Sequence, residues 1–164
     1  MRPAALETAK SDYDAGLASA KVAFDGSIDS ATVAFDGAVG GAESAYNTAL
    51  AAAATALAGD LEAAQAAEDA IIEAANAAYR DSTSATAEDE RREAIEAAQP
   101  IKEAADQAAY ADYDAALVAA NADRATAVES GRTDFEDAVA AAKGIYQGDL
   151  GDVLAPYQSA ASDA

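Results

Sequence analysis

From Tyr13 the chain repeats every eleven residues. YDAGLASAKVA, FDGSIDSATVA, FDGAVGGAESA and YNTALAAAATA stand end to end over positions 13–56, each opening on an aromatic ring and closing on alanine. Carried forward, the frame opens new blocks at Leu57, Glu68 and Tyr79. The fifth position reads Leu17, Ile28, Val39, Leu50, Leu61 and Ile72, and the eighth reads Ala20, Ala31, Ala42, Ala53, Ala64 and Ala75. The eleventh is alanine from Ala23 to Ala78. At about 100° per residue on an α-helix, positions one, four, five, eight and eleven fall within roughly 120° of arc, the width of a core-facing stripe. A strand needs period two, which the blocks lack. Eleven residues in three turns is about 3.67 per turn, slightly more than the natural 3.6, so such a seam stays on its partner by coiling right-handedly.

The frame resumes in the second half, with Tyr113, Arg124, Phe135, Tyr146 and Tyr157 at the first position and Leu117, Val128, Val139 and Leu150 at the fifth. From Ile101 to Tyr113 the spacing is 12, which predicts one slip of the frame. Between the halves, RDSTSATAEDERRE at 80–93 has no bulky apolar residue, and its Ser and Thr compete for backbone hydrogen bonds. Thr86 with Asp89 resembles a capping box opening a second helix. The expected fold is all-α: a long antiparallel helical hairpin, a right-handed coiled coil built on 11-residue repeats, pairing into a four-helix assembly. Residues 1–164 read as a single elongated helical domain, with helix 4–79, turn 80–87 and helix 88–155 kinked or interrupted near Pro100. Residues 1–3 and 156–164 are expected to fray.

Gly26, Gly37, Gly40 and Gly41 each cost about 1 kcal/mol relative to alanine in a helix. The count nevertheless runs from Phe35 through Gly40 and Gly41 to Tyr46 without slipping, which predicts one continuous helix. Folding back at Thr83 pairs residues whose numbers sum to about 166, setting Phe24 against Ala142, Phe35 against Gly131 and Tyr46 against Ala120. Large against small is what a tight seam wants.

Composition narrows the picture. Of the 164 residues 52% are hydrophobic, but alanine supplies most of them and only 6% are aromatic. Bulky core formers are thinly spread, which favours a narrow core. Asp and Glu number 30 against 10 Lys and Arg, a net charge of −20, which repels phosphate backbones and anionic lipid. Nucleic acid is therefore not an expected partner. No run of about 18 bulky apolar residues offers a membrane span. The opening MRPAALETAKSDY has no apolar signal-peptide core, which fits a cytoplasmic chain or an exported one whose signal has been removed.

Histidine, cysteine and tryptophan are absent, which removes Ser-His-Asp and Cys-His catalysis and Cys/His zinc sites. Asp14, Asp25, Asp36, Asp114 and Glu136 recur beside the first position, about 16 Å apart along the axis, too far to share a metal or a proton. Asp12 with Asp14, and Glu88 with Asp89 and Glu90, lack the spacing of a calcium loop. No catalytic, cofactor-binding or metal residues are assigned, and no cofactor is expected. The seven tyrosines read as rings buried at a packing boundary with wet hydroxyls.

The eleven-residue frame resembles the right-handed coiled coils of bacterial and archaeal surface proteins over nearly the whole chain, though their seams use larger Leu and Ile. Alanine-rich helical antifreeze proteins are similar in composition, but Thr8, Thr32, Thr48, Thr55, Thr126 and Thr133 do not fall in one column. Desiccation-protective eleven-mers resemble it in length only, being Lys-rich. The first resemblance implies a non-enzymatic structural or interaction role as spacer, stalk or assembly unit. The alternative is a surface-binding or ligand-binding helical protein, for ice or a small hydrophobic molecule. The small, uncharged tenth and third positions, among them Val22, Val33, Gly26 and Gly37, predict self-association as a homodimer.

Overall fold

A computed structural model of the chain describes residues 2–163, with side chains from residue 4 onward. Helix α1 spans Arg2–Asp81 and helix α2 spans Ala87–Ser162. They pack against each other as an antiparallel hairpin, and no strand occurs among the described residues. α1 passes through Gly26, Gly37, Gly40 and Gly41 without a break. α2 passes through Pro100, so no interruption occurs there, and it continues through Pro156 to Ser162 where fraying was expected. Both prolines are exposed, so each ring and each missing N–H falls on the outer side of the helix, away from the seam. Just beyond Pro156, the Tyr157 ring stacks on Tyr13, which holds the last turns down.

The turn, residues 82–86, is stitched locally. The Ser82 N–H donates to the Tyr79 carbonyl at 3.3 Å and the Ala87 N–H to that of Ser84 at 3.4 Å. The expected capping box is replaced by a different arrangement. The Thr86 N–H donates to Ser84 Oγ at 3.2 Å, the Thr86 hydroxyl donates to Glu90 Oε1 at 2.7 Å, and Asp89 instead pairs with Arg92. Glu88, Asp89 and Glu90 all sit in the first turn of α2, where the helix dipole favours negative charge.

The core is narrower than the blocks imply. Its buried side chains are Ala20, Ala31, Ala42, Ala53 and Ala64 on α1 and Ala87, Ala98, Ala109, Ala120 and Ala142 on α2, with Gly131 completing the second series. These are eighth positions. First and fifth positions are half-buried, apart from Tyr79 at 42% exposed, whereas the eleventh-position alanines Ala23, Ala34, Ala45, Ala56, Ala67 and Ala78 are exposed. Positions one, five and eight span only about 60° of a helix, which is all that one neighbouring helix covers.

The expected frame slip is also absent. Counting back by elevens from Tyr113 reaches Lys102 and Arg91, both half-buried, while Ile101 is 55% exposed. The seam of α2 therefore keeps one frame and admits cations at its first position.

The chain divides into two compact units, one formed by Met1–Ala42 with Ala125–Ala164 and the other by Glu43–Arg124. In the first unit, rings meet rings across the hairpin. Tyr13 stacks on Tyr157 with centroids 5.3 Å apart, Phe24 meets Tyr146 at 5.2 Å and Phe35 meets Phe135 at 5.9 Å. In the second unit, the Arg124 guanidinium lies 5.0 Å from the Tyr46 ring centre and that of Arg91 lies 4.9 Å from Tyr79. In every one of these pairs the residue numbers add to 170 rather than 166. First positions thus face first positions, which corrects the expected opposition of large and small. The small residues serve beside the rings instead. A Cβ on Gly131 would come 2.9 Å from Ala38 Cβ and 3.7 Å from Phe35 Cδ2, and one on Gly16 would overlap the Val153 side chain.

Candidate functional site

Of the recurring carboxylates, Asp14, Asp25 and Glu136 have partners on their own helix. In the first unit Lys10 Nζ lies 3.3 Å from Asp14, Lys21 pairs with Asp25, and Arg132 pairs with both Glu129 and Glu136. Each of these partners sits three or four residues away, the spacing at which helix side chains meet. The hydrogen bond from Lys21 to Asp25 raises the lysine pKa, and that from Arg132 to Glu129 lowers the glutamate's. No group of three or more metal-type side chains is placed to hold an ion among the described residues. Asp12 and Asp14, and Glu88 with Asp89 and Glu90, are likewise not gathered into a site.

The second unit carries the polar seam that the sequence reading missed. Lys102 and Asp106 form an ion pair with side chains only 24% and 25% exposed. The Asp106 hydrogen bond raises the Lys102 pKa against the opposing effect of desolvation, and Glu68 on α1 adds further attraction. Arg124 reaches across to Glu43 at 2.8 Å while covering Tyr46, and Arg91 donates to Asn76 at 3.2 Å while covering Tyr79. Each cation is half-buried in the seam and presents its head to an acid, an amide or a ring face. Arg91 Nε and Asp106 Oδ1 are shielded without a hydrogen-bond partner in the protein, the cost of placing these groups in a seam. Counting by elevens back from Tyr113 was the signal that would have found this row.

On the flank opposite the ion pairs, the first unit has an open groove lined by Val22, Gly26, Ser30, Ala138, Ala141 and Ile145, with Ala23, Ser27, Ala31 and Ala142 completing it. None of these residues is charged. Val22 and Ile145 are 73% and 63% exposed. The Ser27 and Ser30 hydroxyls donate to the carbonyls of Ala23 and Gly26, at 2.9 and 2.8 Å, which spends their polarity on their own helix. In α1 of this unit the ion pairs hold block positions two and nine and the groove side carries Val22, Gly26 and Ser30, but in α2 Asp134, Asp137, Asp149 and Asp152 fall at positions eleven, three, four and seven, so the acids are not confined to one flank.

No family model, curated protein or solved structure matches the chain. Among the described residues no helix is long and apolar enough to cross a membrane.

Proposed function

We propose that this chain is a non-enzymatic structural or protein-interaction module, a right-handed coiled-coil hairpin of eleven-residue repeats acting as a spacer, stalk or assembly unit. The observation that carries this reading is the single pairing register of the first positions in each unit, rings on rings in one and cations on rings in the other. Arg91 and Arg124 cover rings across the seam, and Lys10, Lys21 and Arg132 pair with acids of their own helix, so these cations are engaged within the hairpin itself. An ice-binding reading receives less support, since the hydroxyls of Thr8, Thr32, Thr48, Thr55 and Thr133 donate to carbonyls four residues back.

Matched deletions test the repeat. Removing residues 24–34 together with 136–146 takes out one block from each helix and restores the row of Phe35 and Phe135 beside that of Tyr13 and Tyr157. Removing nine residues from each helix at the same place turns the outer rows by about half a turn, off the seam. The eleven-residue deletion is expected to remain helical and to melt cooperatively. The nine-residue deletion is expected to melt at least about 10 °C lower, on the order of 3 kcal/mol for a chain of this size. Equal melting of the two would show that eleven is not the packing unit.

A further inference from the structure

We infer that the apolar groove of the unit formed by Met1–Ala42 and Ala125–Ala164 seats a second copy of this chain, the two copies packing groove to groove about a two-fold axis. The inference rests on the hairpin of the preceding section but not on its role as a spacer.

Shape supplies the first reason. Val22 and Ile145 form ridges, while Gly26, Ala138 and Ala141 leave hollows between them. A two-fold interface uses the same patch twice, so it needs a surface carrying both ridges and hollows, such that each copy's ridge enters the other's hollow. Small residues at the hollows allow helix backbones to approach closely.

Area supplies the second. Two helices side by side make one layer, and a stable core ordinarily needs two. Among the described residues no large side chain is completely buried, and the chain exposes 10807 Å². A compact folded chain of 16.4 kDa exposes about 7,500 Å². The excess of about 3,300 Å² is spread over the whole chain, and a stable contact through the groove needs only about 800 Å² of it per copy. Pairing the two grooves builds the missing second layer in this unit as a four-helix assembly.

Charge selects the occupant. At −20 the chain repels anionic lipid and nucleic acid, and it repels itself through most of its surface. The groove's own lining is uncharged and the ion pairs of this unit lie on the other flank, while Asp134 and Asp149 line the hollows that adjoin it, so a second copy meets an apolar centre with acids at its rim.

Sedimentation equilibrium of the full chain at physiological salt, from about 1 to 100 μM, tests this. The unaltered chain is expected to be a dimer in the tens of micromolar. Val22→Lys and Ile145→Lys, both at exposed positions of the lone hairpin, are expected to weaken dimerisation at least about hundredfold with helicity unchanged. Val118→Lys, 70% exposed and in the other unit, is expected to leave it as it was. The chain has no cysteine, so Ala141→Cys introduces a single thiol whose alkylation should slow at least about tenfold across the same concentration range, while that of Val118→Cys should not. A helical monomer at 100 μM overturns the inference and leaves the hairpin reading to the deletion test. A dimer weakened equally by Val118→Lys, or one in which the thiol at 141 reacts at the same rate at every concentration, overturns the choice of groove.

Discussion

What a methyl group would meet sorts the small residues of this hairpin. At Gly40, Gly59 and Gly144 an added Cβ finds nothing within 4 Å, whereas at Gly16 it would overlap Val153. Gly40→Ala, Gly59→Ala and Gly144→Ala are therefore expected each to stabilise the hairpin by about 0.5–1 kcal/mol, through helix propensity and a more restricted unfolded chain. Gly16→Ala should lose that gain to the clash, and thermal melts of the four variants should separate it from the rest. The same logic applies to alanine. Ala31 and Ala120 are each 7% exposed, so Leu at either overpacks the seam at a cost of about 1–3 kcal/mol, while Ala18→Leu on the exposed side should be nearly neutral. Alanine also marks where sequence reading lost its footing. The eighth and eleventh positions are equally alanine, yet Ala20 is buried and Ala23 is exposed. A side chain that fits both inside and outside carries no burial signal, so the stripe looked wider than the seam.

At the scale of the helix, two long elements, the turn between them and the passage of α1 through its glycines were legible, because the count of eleven survives every local weakness except the 80–93 segment. The pairing register and the frame of α2 were not. The sequence count sets Ile101 in the seam, whereas the structure exposes it and half-buries Lys102 in its place. A seam made by only two helices leaves its first positions half-exposed, so a lysine can lie along alanines and still deliver its ammonium to Asp106. The raised pKa of Lys102 gives a pH signature. A lysine whose folded pKa lies above its unfolded one contributes stability fully below the ordinary value of 10.5, and loses it as pH rises through the higher folded value. Melting temperatures of the unaltered chain and of Lys102→Met are therefore expected to differ at pH 8 and to converge at strongly alkaline pH. A difference that persists there would mean that Lys102 acts through its stem alone. Ile101→Gln, by contrast, should change stability by no more than about 0.5 kcal/mol at any pH.

For the molecule as a whole, the excess of acid was plain from composition, whereas the uncharged lining of the groove appears only once the two helices are paired. That lining decides how association should respond to salt. If copies joined through ion pairs, added salt would screen the attraction and loosen the dimer. If they join through an uncharged groove while each carries −20, the main long-range force between them is repulsion, and screening it tightens the dimer. The Debye length falls from about 30 Å at 0.01 M to about 8 Å at physiological ionic strength, so most of the effect should come in that interval. Acidification toward the pI of about 4.1 removes the same repulsion by neutralising carboxylates, and should act in the same direction until the ion pairs of the charged flank begin to protonate. Glu129, whose pKa Arg132 lowers, contributes stability that is present above the ordinary carboxylate range and is lost as pH falls through its lower folded value, so its pair is among those that survive furthest into acid. Sedimentation across a salt series at pH 7 is expected to show the dissociation constant falling as salt rises. A dimer that instead dissociates with added salt is held by charge, and its contact then lies on the flank of Lys21, Asp25 and Arg132 rather than in the groove.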